Sequence, residues 1–181
     1  YIRVGSELSC EEIYRGHLIE NVLSSCGRRA EVYDIISRNR VIVGTVAALS
    51  VKPELFRLKT FDVAIVDEAT QILEPQLLGI LCARNGVGEN AVGKFVLIGD
   101  HKQLPAIVLQ SEEQSCVHSE QLRQAGITNL RDSLFERLYR NFHAEKGSWA
   151  VDMLCRQGRM NPIVALFPNR AFYGGKLQPV G

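Results

Sequence analysis

Two short apolar runs that each end in an aspartate, "FDVAIVD" (Phe61 to Asp67) and "KFVLIGD" (Lys94 to Asp100), constrain this chain more than anything else in it. Both are short and rich in β-branched and aromatic residues, which is the composition of a strand. "RVIVG" (Arg40 to Gly44) and "WAVDML" (Trp149 to Leu154) read the same way. Three of the four are apolar almost without interruption, so they predict strands covered on both faces, as in a parallel sheet. Helical patterns lie between them. "QILEPQLLGILCA" (Gln71 to Ala83) predicts a helix with Pro75 in its first turn, where a missing N–H costs little. "DSLFERLYRNFH" predicts a helix capped by Asp132, with Leu134, Phe135, Leu138, Tyr139 and Phe142 along one face. Strands alternating with helices give an α/β layered sheet of parallel strands with flanking helices.

Size and composition set wider bounds. The 181 residues suffice for one domain with a sizeable core, or for one domain and the start of another. An apolar fraction of 46%, a charged fraction of 23% and a net charge of +1 are those of an ordinary globular protein and single out neither nucleic acid nor a membrane. No apolar run approaches a membrane span. The five cysteines form no C-x-x-C pair, which leaves zinc no ligand spacing and suggests reduced thiols in an intracellular protein, cytoplasmic or nuclear. His101 and His143 lack partners at metal-ligand spacing and read as surface or loop histidines. "RNGVGENAVGK" (Arg84 to Lys94) reads as an exposed turn, and the polar connection from Gln110 to Thr128 holds a weak helical segment at Ser119 to Ala125.

Asp67 and Asp100 end their strands at equivalent places, and open α/β sheets bind ligands beyond the carboxyl ends of their strands. Glu68 follows the first, and Gln103 lies three residues after the second. Mg²⁺ takes one or two carboxylates with waters and phosphates, and a glutamate beside the metal-binding aspartate can accept a proton from an attacking water. A neutral amide can orient that water or touch a terminal phosphate. From "VDEATQ" alone, acids that cap the next helix explain the residues equally well. The two strand ends together favour chemistry.

At this level the chain resembles a superfamily 1 helicase, within the branch of the nonsense-mediated-decay RNA helicases and the DNA replication helicase–nucleases. "FDVAIVDEATQILEPQLLGIL" resembles motif II, a DEAxQ box, and "KFVLIGDHKQLPAIV" resembles motif III, GDxxQLPP. "GITNLRDSLFERL" resembles the helix that follows, and "LCRQGRMNPIVALFPNRAFYGGKL" resembles "LxxQYRMHPxIxxFxSxxFYxGxL". "VIVGTVAAL" resembles the Thr-containing strand end before motif II, and "IRVGSE" a segment of the accessory region. The match spans nearly the whole chain in the family's order.

The resemblance implies a RecA-like P-loop NTPase sheet, with an accessory region over residues 1–40 and an incomplete motor core over 41–181. It implies ATP and Mg²⁺ as cofactors and single-stranded DNA or RNA as partner. Asp67 would reach Mg²⁺, Glu68 would polarise the attacking water, and Asp100 would belong to the nucleotide site. Gln103 would sense the γ-phosphate and couple it to nucleic-acid grip, and Arg159 would touch the same phosphate through its planar fork. Thr45 would contact the strand backbone, or else cap the helix after Gly44; Gln71 and Gln157 would support the site, or Gln71 would simply open its helix. The stretch from Arg131 to Gly181 has eight Lys/Arg against four Asp/Glu, which suits a phosphate backbone or a solvated face.

The chain departs from the pattern at Gly158, Asn161 and Ala106, which stand where relatives have Tyr, His and Pro. Gly158 is expected to loosen the backbone beside Arg159. No G-x-x-x-x-G-K-[ST] occurs; "GVGENAVGK" has the wrong spacing and Phe95 where Ser or Thr is required. The expectation is therefore an interior piece of a motor, with the phosphate loop upstream, the second motor domain downstream, and no ATPase activity of its own. The rival readings are a non-catalytic nucleic-acid-binding scaffold on the motor fold and a different Mg²⁺-dependent nucleotide hydrolase.

Overall fold

A computed structural model describes residues 1–144 and 148–180, with His143, Ala144 and Ser148 described by backbone alone. The reading of His143 as a surface histidine thus lies outside the described side chains. In chain order the elements are β1 (Ile2–Val4), α1 (Ile19–Val22), α2 (Arg29–Arg38), β2 (Ile42–Gly44), α3 (Val46–Ser50), α4 (Pro53–Leu58), β3 (Phe61–Val66), α5 (Glu74–Leu81) and β4 (Val92–Leu97). There follow α6 (Glu112–Ser115), α7 (Glu120–Gln124), α8 (Leu134–Ala144), β5 (Arg156–Gln157), α9 (Pro162–Phe172) and β6 (Gln178–Pro179). The described strands pair as β1–β2, β3–β4 and β5–β6, and all three ladders are parallel.

The central ladder is β3–β4, in register at Ala64↔Phe95, Ile65↔Val96 and Val66↔Leu97. Because side chains alternate across a strand, Ala64, Val66, Phe95 and Leu97 share one face. That face is covered. Ala64 and Phe95 pack on a cluster of Phe56, Ile80, Ala91 and Val92, while Val66 joins Ala69, Leu77 and Leu134 with Leu97 against them. The opposite face is packed only at its start, where Phe61 and Val92 join the Phe56 cluster; further along, Val63, Ile65, Val96 and Ile98 are 45%, 68%, 40% and 45% exposed. Coverage on both faces, as the apolar runs predicted, is therefore seen only at the start of the ladder; along the rest of it, one face is exposed among the described residues. A further cluster of Ile2, Val4, Ile19, Ile36 and Leu55 joins β1 to the segment around β2.

Three element readings need correction. "WAVDML" forms no strand: Ser148–Ala150 is a turn of 3₁₀ helix, and the chain then runs irregularly to β5. Trp149 and Leu154 are 88% and 87% exposed, so no described surface is there to reward the β-forming side chains. The helix predicted from Gln71 starts at Glu74, because Ala69–Gln71 closes a 3₁₀ turn first; Pro75 does sit in its first turn. Ser133, not Asp132, caps α8. Glu136 N–H donates to Ser133 Oγ (3.2 Å) and Ser133 N–H donates to Glu136 Oε2 (3.3 Å), a reciprocal capping box. Asp132 instead pairs with Arg140. The apolar face read for α8 is in place, with Leu134 buried and Phe135 and Leu138 packed beside it.

Candidate functional site

β3 and β4 bring Asp67 and Asp100 to the same end of one ladder. The pairing continues past the strand ends: Ile98 N–H donates to Val66 O and Ala69 N–H donates to Ile98 O, both at 2.8 Å. Ala69 and Thr70 are buried beyond the strand. Gly99 packs directly on them, since a Cβ there would lie 2.9 Å from Thr70 Cγ2 and 3.1 Å from Thr70 N. Val66 and Ala69 are thus fixed, and the two acids between them are turned outward, both exposed.

Glu68 holds φ +50°, ψ 39°, and among the described residues it is the one non-glycine at positive φ. That left-handed conformation costs on the order of 1–3 kcal/mol in a residue with a Cβ. The strain is not repaid by capping. Glu68 makes no side-chain bond to the N–H groups of the 3₁₀ turn that follows, and α5 begins only at Glu74. Asp67 Oδ1 accepts from Glu68 N–H (3.0 Å), and its Oδ2 has no protein partner among the described residues. Gln71 Nε2 donates to Glu68 Oε2 (3.3 Å), so Gln71 steadies the acid and stands outside the helix it was read as opening.

On the second strand end, a tight turn folds Gln103 back on Asp100. Gln103 N–H donates to Asp100 O (3.1 Å), Gln103 Nε2 to Asp100 Oδ2 (2.9 Å) and Lys102 N–H to Asp100 Oδ1 (3.0 Å). A second side chain, one the sequence reading did not single out, reaches the same carboxylate: Tyr173 O–H donates to Asp100 Oδ2 at 2.5 Å. Burial alone would raise the Asp100 pKa, but the bonds from Tyr173, Gln103 and Lys102 N–H, with His101 nearby, hold it below the ordinary carboxylate value. Burial and the Asp100 carboxylate push the Tyr173 phenol up to about 12. The His101 ring packs on Tyr139 at 4.3 Å.

A family model described as an AAA domain matches residues 19–111, just over half of the chain. The chain is 34% identical over 93% of its length to a DNA replication ATP-dependent helicase/nuclease of Bos taurus. It is 32% identical over 81% of its length to a DNA polymerase alpha-associated DNA helicase of Saccharomyces cerevisiae. An uncharacterized ATP-dependent helicase of Methanocaldococcus jannaschii is 29% identical over 93% of the chain. The chain belongs to the superfamily 1 helicases. Its parallel strands and flanking helices are those of the RecA-like P-loop NTPase fold. The chain spans 12%, 20% and 21% of the length of these three relatives.

The remaining residues that the sequence singled out lie in two other places. Thr45 caps α3, with Ala48 N–H donating to its Oγ1 (3.2 Å), so the capping alternative is realised; the exposed hydroxyl keeps its own proton to donate. Arg159 lies in the turn between β5 and α9. Both ends of the Gln157 amide clamp that turn: Nε2 donates to Met160 O (3.0 Å) and Met160 N–H donates to Oε1 (2.8 Å). Arg159 itself is exposed and has no hydrogen-bond or ion-pair partner among the described residues. Gly158 does not sit at positive φ, and a Cβ would meet nothing closer than Val180 Cβ at 3.9 Å. The turn is set by Gln157. Asn161 caps α9, with Ile163 N–H donating to its Oδ1 (2.9 Å).

One tie beneath the site escaped the sequence reading. Arg137 of α8 grips Glu74 of α5 with two bonds, Nε to Oε2 at 2.8 Å and Nη2 to Oε1 at 2.5 Å, both groups mostly buried. The hydrogen bond to Glu74 outweighs desolvation and raises the Arg137 pKa further. The helix behind motif II is thereby pinned to the helix of the "SLFERL" segment.

Proposed function

We propose that this chain supplies the water-activating and γ-phosphate-sensing side of an ATP-driven motor that moves on single-stranded DNA or RNA. Glu68 carries the reading: an exposed acid in strained backbone, relieved of any capping duty, next to an aspartate with a free oxygen. Strain of this kind is maintained where function needs a side chain re-aimed. The 34% identity to a relative named as an ATP-dependent helicase/nuclease supports the same reading.

Asp67 would hold Mg²⁺. Its hard, exposed oxygen fits that ion, which takes one or two carboxylates together with waters and phosphates. Bound there, it would supply the positive charge that neutralises the phosphates. Glu68 accepts the proton of the attacking water. Gln103 leaves Asp100 to donate to the γ-phosphate, and Arg159, clamped in place by Gln157, donates to it in the transition state. Asp100 belongs to the nucleotide site as the carboxylate that stations Gln103. Thr45 donates its hydroxyl proton to the nucleic-acid backbone, a contact blind to sequence. Residues 1–40 form the accessory region and 41–181 the motor core, in a protein of the cytoplasm or nucleus. Within these 181 residues there is no glycine-rich phosphate loop, so the chain alone is expected to turn over no ATP. A pure scaffold would leave the strain at Glu68 without a purpose.

The test is ATP hydrolysis by the protein containing this chain, with and without single-stranded DNA or RNA. Turnover should require Mg²⁺, rise with the strand, and fall at least tenfold in Asp67→Asn with a higher Mg²⁺ requirement. Turnover indifferent to the strand, or unchanged in Asp67→Asn, would refute the assignment.

A further inference from the structure

Tyr173 belongs to the "FYGGKL" segment, and the site as proposed gives it no task. Yet it reaches Asp100 across 73 residues, joining the loop after α9 to the turn after β4. The loop that presents it is closely built. Asn169 closes it from inside: its Nδ2 donates to Leu177 O, its Oδ1 accepts from Leu177 N–H, and its carbonyl accepts from Tyr173 and Gly175 N–H, at 2.9 to 3.2 Å. Gly174 and Gly175 take φ of +58° and +75°, so the chain reverses where side-chain-bearing residues are strained. Tyr173 itself is half-buried, and its hydroxyl ends on the same Asp100 oxygen that receives Gln103 Nε2.

The geometry points to Tyr173 as a positioning residue that fixes Asp100 and, through Asp100, stations the Gln103 amide for the γ-phosphate. This rests on the role proposed for Gln103. Two donors converge on one carboxylate oxygen, so the rotamer of Asp100 is set by both, and Gln103 has a defined place to leave and return to. With the phenol hydroxyl gone, Lys102 N–H still holds Oδ1, but Oδ2 keeps one side-chain donor, the Gln103 amide that has to leave it. The bond also makes the placement of Gln103 depend on the loop after α9. A change in that loop would therefore be felt at the strand end.

The test is a double-mutant cycle on ATP turnover in the protein containing this chain, using Tyr173→Phe, Gln103→Ala and the pair, with thermal melts of all three. Tyr173→Phe should lower kcat about tenfold, the worth of one charge-assisted hydrogen bond, with KM for ATP little changed. The double variant should be no slower than Gln103→Ala alone, because a residue acting through another adds nothing once that other is gone. A wild-type kcat in Tyr173→Phe, or two losses that multiply in the double variant, would overturn the inference while leaving the role of Gln103 intact. If Gln103→Ala turns over normally, the role of Gln103 falls and this inference falls with it. A kcat loss in Tyr173→Phe measured well below its melting transition, and absent when Gln103 is already Ala, separates positioning from mere stability.

Discussion

Glu68 sets the residue scale. A carboxylate that capped a helix would relax into an extended N-cap conformation and bond the N–H groups ahead of it; Glu68 does neither. Its neighbourhood was legible in the sequence, since Asp67, Glu68 and Gln103 sit at fixed distances from the ends of two recognisable strands. Tyr173 makes the contrasting case. Its pKa, about 12 against an ordinary 10.0, means that the folded protein keeps the phenol proton while the unfolded chain has begun to lose it. The stability this contributes is complete below pH 10 and is lost as pH rises through 12. The gap in melting temperature between wild type and Tyr173→Phe should therefore narrow over that alkaline range. A gap that stays constant would mean that the phenol is not held by Asp100. No local pattern announces the pairing of Tyr173 with Asp100, because it joins residues that only the fold brings together.

Elements show the same division between local and non-local signals. β3 and β4 were legible because their apolar runs are short, β-branched and punctuated by acids or glycines. "WAVDML" has the same composition but no described neighbour to pair with, and composition cannot report a missing neighbour. The start of α8 was misassigned by one residue. Ser133 and Glu136 form the S-x-x-E signature of a capping box, which outranks a lone aspartate just before it. Ser133 is 1% exposed, so its hydroxyl bonds are made out of water. Ser133→Ala is expected to cost about 1–2 kcal/mol of stability, read as a lowered denaturation midpoint at unchanged slope. An unchanged midpoint would show that the cap is not a significant tie. The stake extends beyond α8, because the Arg137 it carries holds Glu74 at the start of the helix behind motif II.

At the scale of the molecule, the parallel ladders and the clusters beneath β3–β4 make a stiff base whose exposed end carries the acids. Gly99 against Thr70 locks the two strand ends together, and Gln157 sets Arg159 in a turn of its own. Fold class and the order of motifs could be read from the chain, because each motif is local; the exposed stretch of one β3–β4 face could not, because an apolar run has the same letters whether or not a layer covers it. On the function proposed here, Asp67 and Glu68 end their strand for chemistry and not for structure. The most direct measurement compares Glu68→Gln with wild type in the protein containing this chain, for steady-state ATP turnover, ATP affinity and melting temperature together. Turnover is predicted to fall by at least about 100-fold, the scale of a lost general base, with affinity and melting temperature essentially kept. Near-normal turnover, or a loss of turnover matched by a loss of binding and stability, would contradict it.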